Sequence, residues 1–174
     1  MSDLKTKNFK NIKLLPLELS RLFSQDEKIQ RLVVIDSSDA LTKDFSPLSF
    51  KQLMDEKYIS IIPLSETGIK EIGRNTFIVI NALTDTVLEE TDGNNIFSGS
   101  IFICSDLDHL LLDNYQLRLV ELQERIVDLI NKEKFSCSGE LQVLSSTTIS
   151  YSTYLFGYRI NFNITDQPSK GAVL

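Results

Sequence analysis

One run of residues, from Asp113 to Glu133, constrains the fold of this 174-residue chain more than any other. At 100° per residue, its apolar side chains fall on one face of a helix and its charged side chains fall on the opposite face. The apolar face, taken from Tyr115, consists of Leu119, Val120, Leu122, Ile126, Val127, Leu129 and Ile130. The polar face consists of Arg118, Glu121, Glu124, Arg125, Asp128 and Lys132. The pattern predicts a helix over about 113–133, capped by Asp113, with a single buried face.

Nearer the C-terminus, a strict alternation predicts the strand on which this helix packs. Every second residue is apolar, as in a strand with one buried face; these residues are Tyr154, Phe156, Tyr158, Ile160, Phe162 and Ile164. With Glu140 to about Ser145 as the first arm, the segment predicts a β-hairpin. The SSTTISYS sequence between the arms is too long for a tight turn. It predicts either a protruding loop or an extended pair of strands.

The N-terminal half predicts short helices followed by buried strands. Helices are expected over 14–23, about 25–35 and 47–55, and strands over 58–64, 76–83, 87–90 and 99–104. Ser24 and Glu27 form a capping-box pattern that favours the second helix, although the apolar run from Leu32 to Ile35 also fits a buried strand. The strand over 76–83 is apolar on both faces, which indicates that both are covered.

This order of elements predicts an α+β fold, in which one long helix (about 113–133) packs on a mostly antiparallel mixed sheet. Short N-terminal helices and a C-terminal β-hairpin complete the fold. We expect a single domain over residues 14–166, with flexible tails at 1–13 and 167–174.

Charge and composition argue against several classes of function. A net charge of −6 and a pI near 4.8 disfavour binding to nucleic acid or to an anionic membrane surface. Four lysines near the N-terminus (Lys5, Lys7, Lys10 and Lys13) indicate a solvated end in preference to a binding arm. We expect no signal peptide and no membrane span. Cys104 and Cys137 lack metal or redox spacing and are expected to be reduced packing residues.

Two acidic clusters raise the question of metal or phosphate chemistry. Asp106, Asp108 and His109 could ligate a divalent ion, but the chain has no second histidine, and a polar loop leading into the helix is the simpler interpretation. The segment Asp36–Asp39 lacks the residues that aspartate-nucleophile and Asp-x-Ser-x-Ser sites require, and helix-end capping explains it. No glycine-rich phosphate loop is present. We therefore expect no catalytic residue, cofactor or metal site, and no enzymatic activity.

Three apolar residues point instead to a surface for a protein partner. Phe97, Tyr151 and Leu155 fall in predicted loop or edge positions, where a large apolar side chain is expected to be exposed. They are the candidate interface residues.

The order of motifs resembles the small neck or tail-completion (tail-terminator-like) proteins of tailed bacteriophages. The resemblance covers about residues 25–166. The segments that carry it are QRLVVIDSSDAL, YISIIPL with RNTFIVINAL, GSIFICSDLDHLLLDNYQLRLVELQERIVDLIN and GELQVLSSTTISYSTYLFGYRINFNITD. It implies a ring-forming head–tail connector subunit that contacts copies of itself and other neck, portal or tail proteins. DNA would pass through the ring without specific binding.

The resemblance also implies where such a protein is found and which loops it uses. It implies a virion protein, assembled in the host cytoplasm, whose SSTTISYS loop and 84–98 loop contact neighbouring copies. Two other classes of function stay open. One is an intracellular adaptor that binds a protein partner through a sheet edge or the hairpin loop. The other is a metal-dependent hydrolase that uses Asp106, Asp108 and His109.

Overall fold

A computed structural model describes residues 14–61, 72–85, 95–135 and 141–166 of the chain. Its helices are α1 (Leu15–Gln25), α2 (Glu27–Val34), α3 (Phe50–Asp55) and α4 (Arg118–Lys132). Its strands are β1 (Ile59–Ile61), β2 (Thr76–Asp85), β3 (Asn95–Asp106), β4 (Leu141–Ser150) and β5 (Leu155–Asp166). The predicted tails, the predicted strand at 87–90 and Cys137 lie outside the described residues.

The five strands form one mixed sheet, in the order β1-β2-β3-β5-β4. β1 is parallel to β2, and every other neighbouring pair is antiparallel. The helices lie on one face, where α1 packs on β1 and β2 and α4 packs on β3, β4 and β5. The predicted α+β class, with its C-terminal hairpin, is confirmed.

The second helix forms, and the alternative of a buried strand at Leu32–Ile35 is wrong. Its N-cap is Asp26 instead of the predicted Ser24, because the Asp26 carboxylate accepts from the Ile29 amide at 2.9 Å. The Ser24 hydroxyl donates instead to the Arg21 carbonyl, one turn back in α1.

The long helix begins at Arg118, five residues after the predicted cap at Asp113. Residues before it form a tight turn closed by a bridge between Leu111 and Leu117. Asn114 stabilises the turn, since its side-chain oxygen accepts from the Gln116 amide at 3.1 Å. Tyr115 has a φ of 64° and is 87% exposed, so its predicted place on the buried face is wrong.

The predicted polar face of this helix is also partly buried. Arg118 and Glu121 are both buried, because α2 packs across that side of α4. Glu121 forms an ion pair with Lys28, and Arg125 forms one with Asp26 at 2.6 Å. Helical periodicity predicts that charged residues face solvent. In the fold, however, Arg118 and Glu121 are buried, and each has polar partners.

The hairpin is longer than predicted, and the extended-strand alternative for SSTTISYS is the correct one. β4 runs through Ser150 and pairs with β5 from Leu141↔Ile164 to Ser150↔Phe156, with a register shift between Val143 and Ser145. The inner half of the alternating row is buried as predicted, at Ile160, Phe162 and Ile164. Tyr154 is an exception, since it lies just before β5 and is 68% exposed.

A second, smaller apolar cluster lies on the sheet face opposite the helices. We call it the second-face cluster; its buried members are Ile72, Phe77, Val79 and Cys104. β2 is therefore buried on both faces over Phe77–Ile80, as predicted. Cys104 is a free, buried cysteine, and burial raises the pKa of its thiol to about 12.

Candidate functional site

An apolar groove lies where the end of β3 and the start of α4 meet the tip of the β4–β5 hairpin. It encloses about 180 Å³. Its lining is Leu107, Leu110, Leu117, Leu119, Val120, Thr148, Ile149, Phe156, Gly157 and Tyr158. Apart from Thr148 and the tyrosine hydroxyl, these side chains carry no polar group. We call this feature the tip groove.

Large apolar side chains stay exposed at its mouth. Leu107 is 45% exposed, Leu117 is 48% exposed, and Leu111 beside them is 55% exposed. Single exposed leucines are ordinary on protein surfaces, but several around one apolar cavity mark a binding surface. Backbone hydrogen bonds hold this wall, from Leu107 N to Tyr154 O at 2.9 Å and from Arg118 N to Leu110 O at 2.8 Å.

The buried guanidinium of Arg118 fixes the groove wall to the rest of the fold. Its nitrogens donate to five backbone carbonyls at 2.6–3.1 Å, those of Leu32, Ile35, Asp36, Ser37 and His109. Four of these carbonyls end or follow α2, and the fifth precedes α4. Burial lowers the pKa of Arg118, while the nearby Asp36 carboxylate opposes that shift. The charge is thus stabilised mainly by carbonyl dipoles.

The outer edge of the sheet runs beside the tip groove. β4 is the last strand in the sheet, and no described strand pairs with its far side. Its ten residues, LQVLSSTTIS, include no charged residue and no proline. Its side chains from Leu144 to Thr148 are exposed. Free edge strands in monomers commonly carry charges, proline or covering loops that block pairing with another chain, and this sequence supplies neither a charge nor a proline.

A polar ladder occupies the second face of the sheet between β3 and β5. Ser98 donates to Asn163 at 2.8 Å, and Ser100 donates to Asn161 at 3.0 Å. Arg159 donates to Ser100 at 3.0 Å, and its guanidinium lies 5.6 Å from the centre of the Phe102 ring. These groups satisfy one another across the strands, so the ladder is explained as sheet structure.

The three predicted interface residues do not form one surface. Phe97 is only 2% exposed and packs in the main core, so its predicted exposure is wrong. In β3 it pairs with Ile164 and faces the helices. Tyr151 and Leu155 are half-buried beside the second-face cluster, at the hairpin tip. A binding role for these residues stays a prediction.

The candidate metal ligands serve local structure instead. The Asp106 carboxylate caps the short 3-10 turn at Leu107–His109 by accepting from the Asp108 amide at 3.1 Å. His109 Nδ1 lies 3.1 Å from the Asp36 carbonyl oxygen. Across the described part of the chain, no three side chains of His, Cys, Asp or Glu are grouped so as to hold a metal ion.

The Asp36–Asp39 segment is likewise explained by local hydrogen bonds. Ser37 donates to the Asp39 carboxylate, and this hydrogen bond is the main cause that lowers the pKa of Asp39. Asp36 accepts from the Asn75 side chain at 2.8 Å. A larger cavity, of about 380 Å³, lies elsewhere, between α1 and the residues after α4. Charged side chains of both signs line it, among them Glu18, Arg21, Glu133 and Lys134.

Sequence reasoning missed the tip groove, although part of its signal was present. Leu107, Leu110 and Leu111 lie in the segment that leads into the helix, beside the candidate metal ligands. The absence of charge from LQVLSSTTIS was visible in the sequence. Its meaning depends on β4 lying at the edge of the sheet, which only the strand order reveals.

Comparisons with known proteins do not assign a function to this geometry. No protein-family model matches the sequence, and no curated protein matches it either. In the described ranges, none of the helices combines the length and the apolar character needed to cross a membrane.

Proposed function

We propose that this chain is a structural virion protein, a ring-forming neck or tail-hub subunit that joins the portal or connector to the tail of a bacteriophage. One observation carries the proposal more than any other, namely the uncharged edge strand β4 beside the tip groove. A strand edge and an apolar groove at one end of the sheet provide the backbone and side-chain contacts that a neighbouring copy needs. The resemblance of residues 25–166 to tail-terminator-like proteins points the same way.

Ring formation requires a heterologous contact, in which one surface of a copy meets a different surface of the next. β4 supplies one such surface, at the end of the strand order opposite β1. In the assembled ring, other neck, portal or tail proteins contact the remaining faces, and DNA passes through the lumen without specific binding. The net charge of −6 suits that passage, because an acidic wall repels the phosphate backbone. The subunit is assembled in the host cytoplasm and acts without enzymatic activity.

The tip groove also favours a second candidate, an adaptor that binds a peptide from another protein. An apolar cavity of about 150 Å³ holds a benzene molecule. The groove, at about 180 Å³, is therefore large enough for one aromatic or branched side chain of a partner. An adaptor would bind one partner peptide per chain and would form no ring.

Quantitative mass spectrometry of purified phage particles separates the two. The neck proposal predicts this chain in every particle, at a small fixed copy number relative to the portal protein. An adaptor would be found in infected-cell lysate and would be missing from purified particles. That absence would contradict the neck proposal.

A further inference from the structure

We infer that the tip groove binds the lysine-rich N-terminal segment, residues 1–13, of a neighbouring copy, with Phe9 as the apolar anchor. The inference rests on the proposed self-association, and it adds a contact between consecutive subunits to the one proposed at the β4 edge. Three observations support it: the size and lining of the groove, the charges around it, and the position of α1, the helix that follows the segment in the chain.

The groove needs an occupant with one bulky apolar group. Its floor is apolar, and the leucines at its mouth stay exposed in the isolated chain. The segment MSDLKTKNFKNIK contains three large apolar residues after Met1, namely Leu4, Phe9 and Ile12. Phe9 is the largest of them, and a phenyl ring matches a cavity of about 180 Å³.

The charges around the groove are opposite to those of the segment. One wall, residues 106–120, carries three aspartates (Asp106, Asp108 and Asp113) and a single arginine, Arg118, whose buried guanidinium is bound by backbone carbonyls. The other wall, residues 146–156, carries no charge. The N-terminal segment carries four lysines and one aspartate, and two of the lysines, Lys7 and Lys10, flank Phe9 closely. Phe9 in the groove would therefore bring Lys7 and Lys10 near the aspartates, a pairing that steers and orients the segment.

The position of α1 favours a neighbouring copy as the donor. α1 packs on β1 and β2, at the other end of the strand order from the β4–β5 hairpin. β2 and β5 are two strand spacings apart, or about 10 Å, and β4 lies one spacing further. Phe9 stands five residues before Leu14, and five residues span at most about 17 Å. The lateral distance alone therefore takes up more than half of the reach of the chain's own Phe9, whereas a neighbour's Phe9 is under no such restriction.

Disulfide trapping between two different full-length variants tests the contact. One variant carries Asn8→Cys, beside the anchor, and the other carries Thr148→Cys, in the groove. Cys137 is replaced by Ser in both, while the buried Cys104 is kept. The mixed and oxidised proteins are expected to give a heterodimer with an 8–148 disulfide, identified by mass spectrometry. Gln142→Cys is the matched control, since it is exposed on the same strand about 20 Å away.

Charge reversal supplies a second readout. Lys10→Glu is expected to lower the yield of the 8–148 disulfide several-fold, and Asp108→Lys in the groove variant is expected to restore it. Asp108 suits this test because its side chain is exposed, whereas the Asp106 carboxylate caps a turn.

The outcomes distinguish the inference from the function on which it rests. A protein that self-associates but gives no more 8–148 than 8–142 disulfide overturns the docking inference alone. An internal disulfide in the Asn8→Cys/Thr148→Cys double variant, without heterodimer in the mixture, shows that the chain fills its own groove and also overturns it. A protein that stays monomeric at every concentration overturns both the inference and the proposed ring.

Discussion

At the scale of single residues, Arg118 links the end of α2 to the start of α4 through hydrogen bonds to backbone carbonyls. We expect Arg118→Lys to lower the free energy of unfolding by about 2–4 kcal/mol, because lysine has three donors on a point charge and leaves buried carbonyls unpaired. The five carbonyls that Arg118 now satisfies come from both sides of the junction. Chemical denaturation of the two proteins measures the difference.

Arg125→Lys is the matched control on the same helix. Arg125 is partly exposed and pairs with Asp26 and Asp128, so its replacement is expected to cost less than about 1 kcal/mol. Equal losses for the two variants would contradict the special role of Arg118.

The buried thiol of Cys104 is expected to react slowly with alkylating reagents. Burial raises the pKa of its thiol to about 12, and the thiolate is the form that reacts with alkylating reagents. At pH 8 we expect iodoacetamide to leave Cys104 unmodified in the folded protein and to modify it fully in denaturant, with the site mapped by mass spectrometry. Alkylation of Cys104 at the same rate in both states would show that the second-face cluster is open to solvent.

Single-residue roles were the least predictable part of this structure. Periodicity placed Arg118 on a solvated face, because a charge pattern carries no information about carbonyls more than 80 residues away in the sequence. Phe97 was expected to be exposed, yet it faces the helices because β3 begins at Asn95, four residues before the predicted strand.

At the scale of elements, Gly157 allows β5 to pass close to β3. A Cβ at this position would overlap the Ile103 carbonyl oxygen of the neighbouring strand. We expect Gly157→Ala to lower the melting temperature and to cost about 2 kcal/mol or more, because the two strands must separate locally. Thermal unfolding followed by circular dichroism tests this.

Gly73→Asn provides the comparison for Gly157→Ala. Gly73 has a φ of +67° and no atom within 4 Å of an added Cβ, and asparagine tolerates that backbone region better than other side chains. Its replacement is expected to be the milder of the two. A larger loss at Gly73 than at Gly157 would mean that strand spacing does not limit the fold.

Elements with strong local signals were predicted well, and their ends were not. The β4–β5 hairpin follows from alternation, which is a local property of the sequence. α2 forms where its polar start and apolar face predict a helix, although Asp26 caps it instead of Ser24. The start of α4 is not predicted in this way, because the Asn114 turn competes locally with helix formation and the Leu111–Leu117 bridge completes it. Helical periodicity alone cannot decide between a helix that begins at Asp113 and a turn at Asn114 followed by a later helix start.

At the scale of the whole molecule, the edge of β4 is the surface on which self-association depends. Ser146 and Thr147 are exposed at the middle of this uncharged strand. We expect Ser146→Lys/Thr147→Lys to shift the protein to monomer without changing its melting temperature by more than a few degrees, since charges on an edge block pairing between chains. Analytical ultracentrifugation over a range of concentrations measures the shift.

The neutral pair Ser146→Thr/Thr147→Ser controls for disturbance of the strand itself. It is expected to self-associate like the unmodified chain. Association that survives both lysines would exclude the β4 edge as the contact surface.

The site as a whole could be predicted only in outline. The sequence pointed to the hairpin region as a partner surface and named Tyr151 and Leu155 there. The tip groove is built from three separated segments, around Leu107, Leu117 and Ile149, whose proximity depends on the strand order. No local pattern encodes that proximity, so the groove and the free edge required the fold.

Imaging of the neck in purified particles by cryo-electron microscopy tests the central claim most directly. We predict a closed ring of this chain between the portal or connector and the tail, in which the β4 edge of each copy contacts the next copy. A neck without this chain would contradict the proposed function. A ring in which β4 faces solvent would contradict the assigned contact.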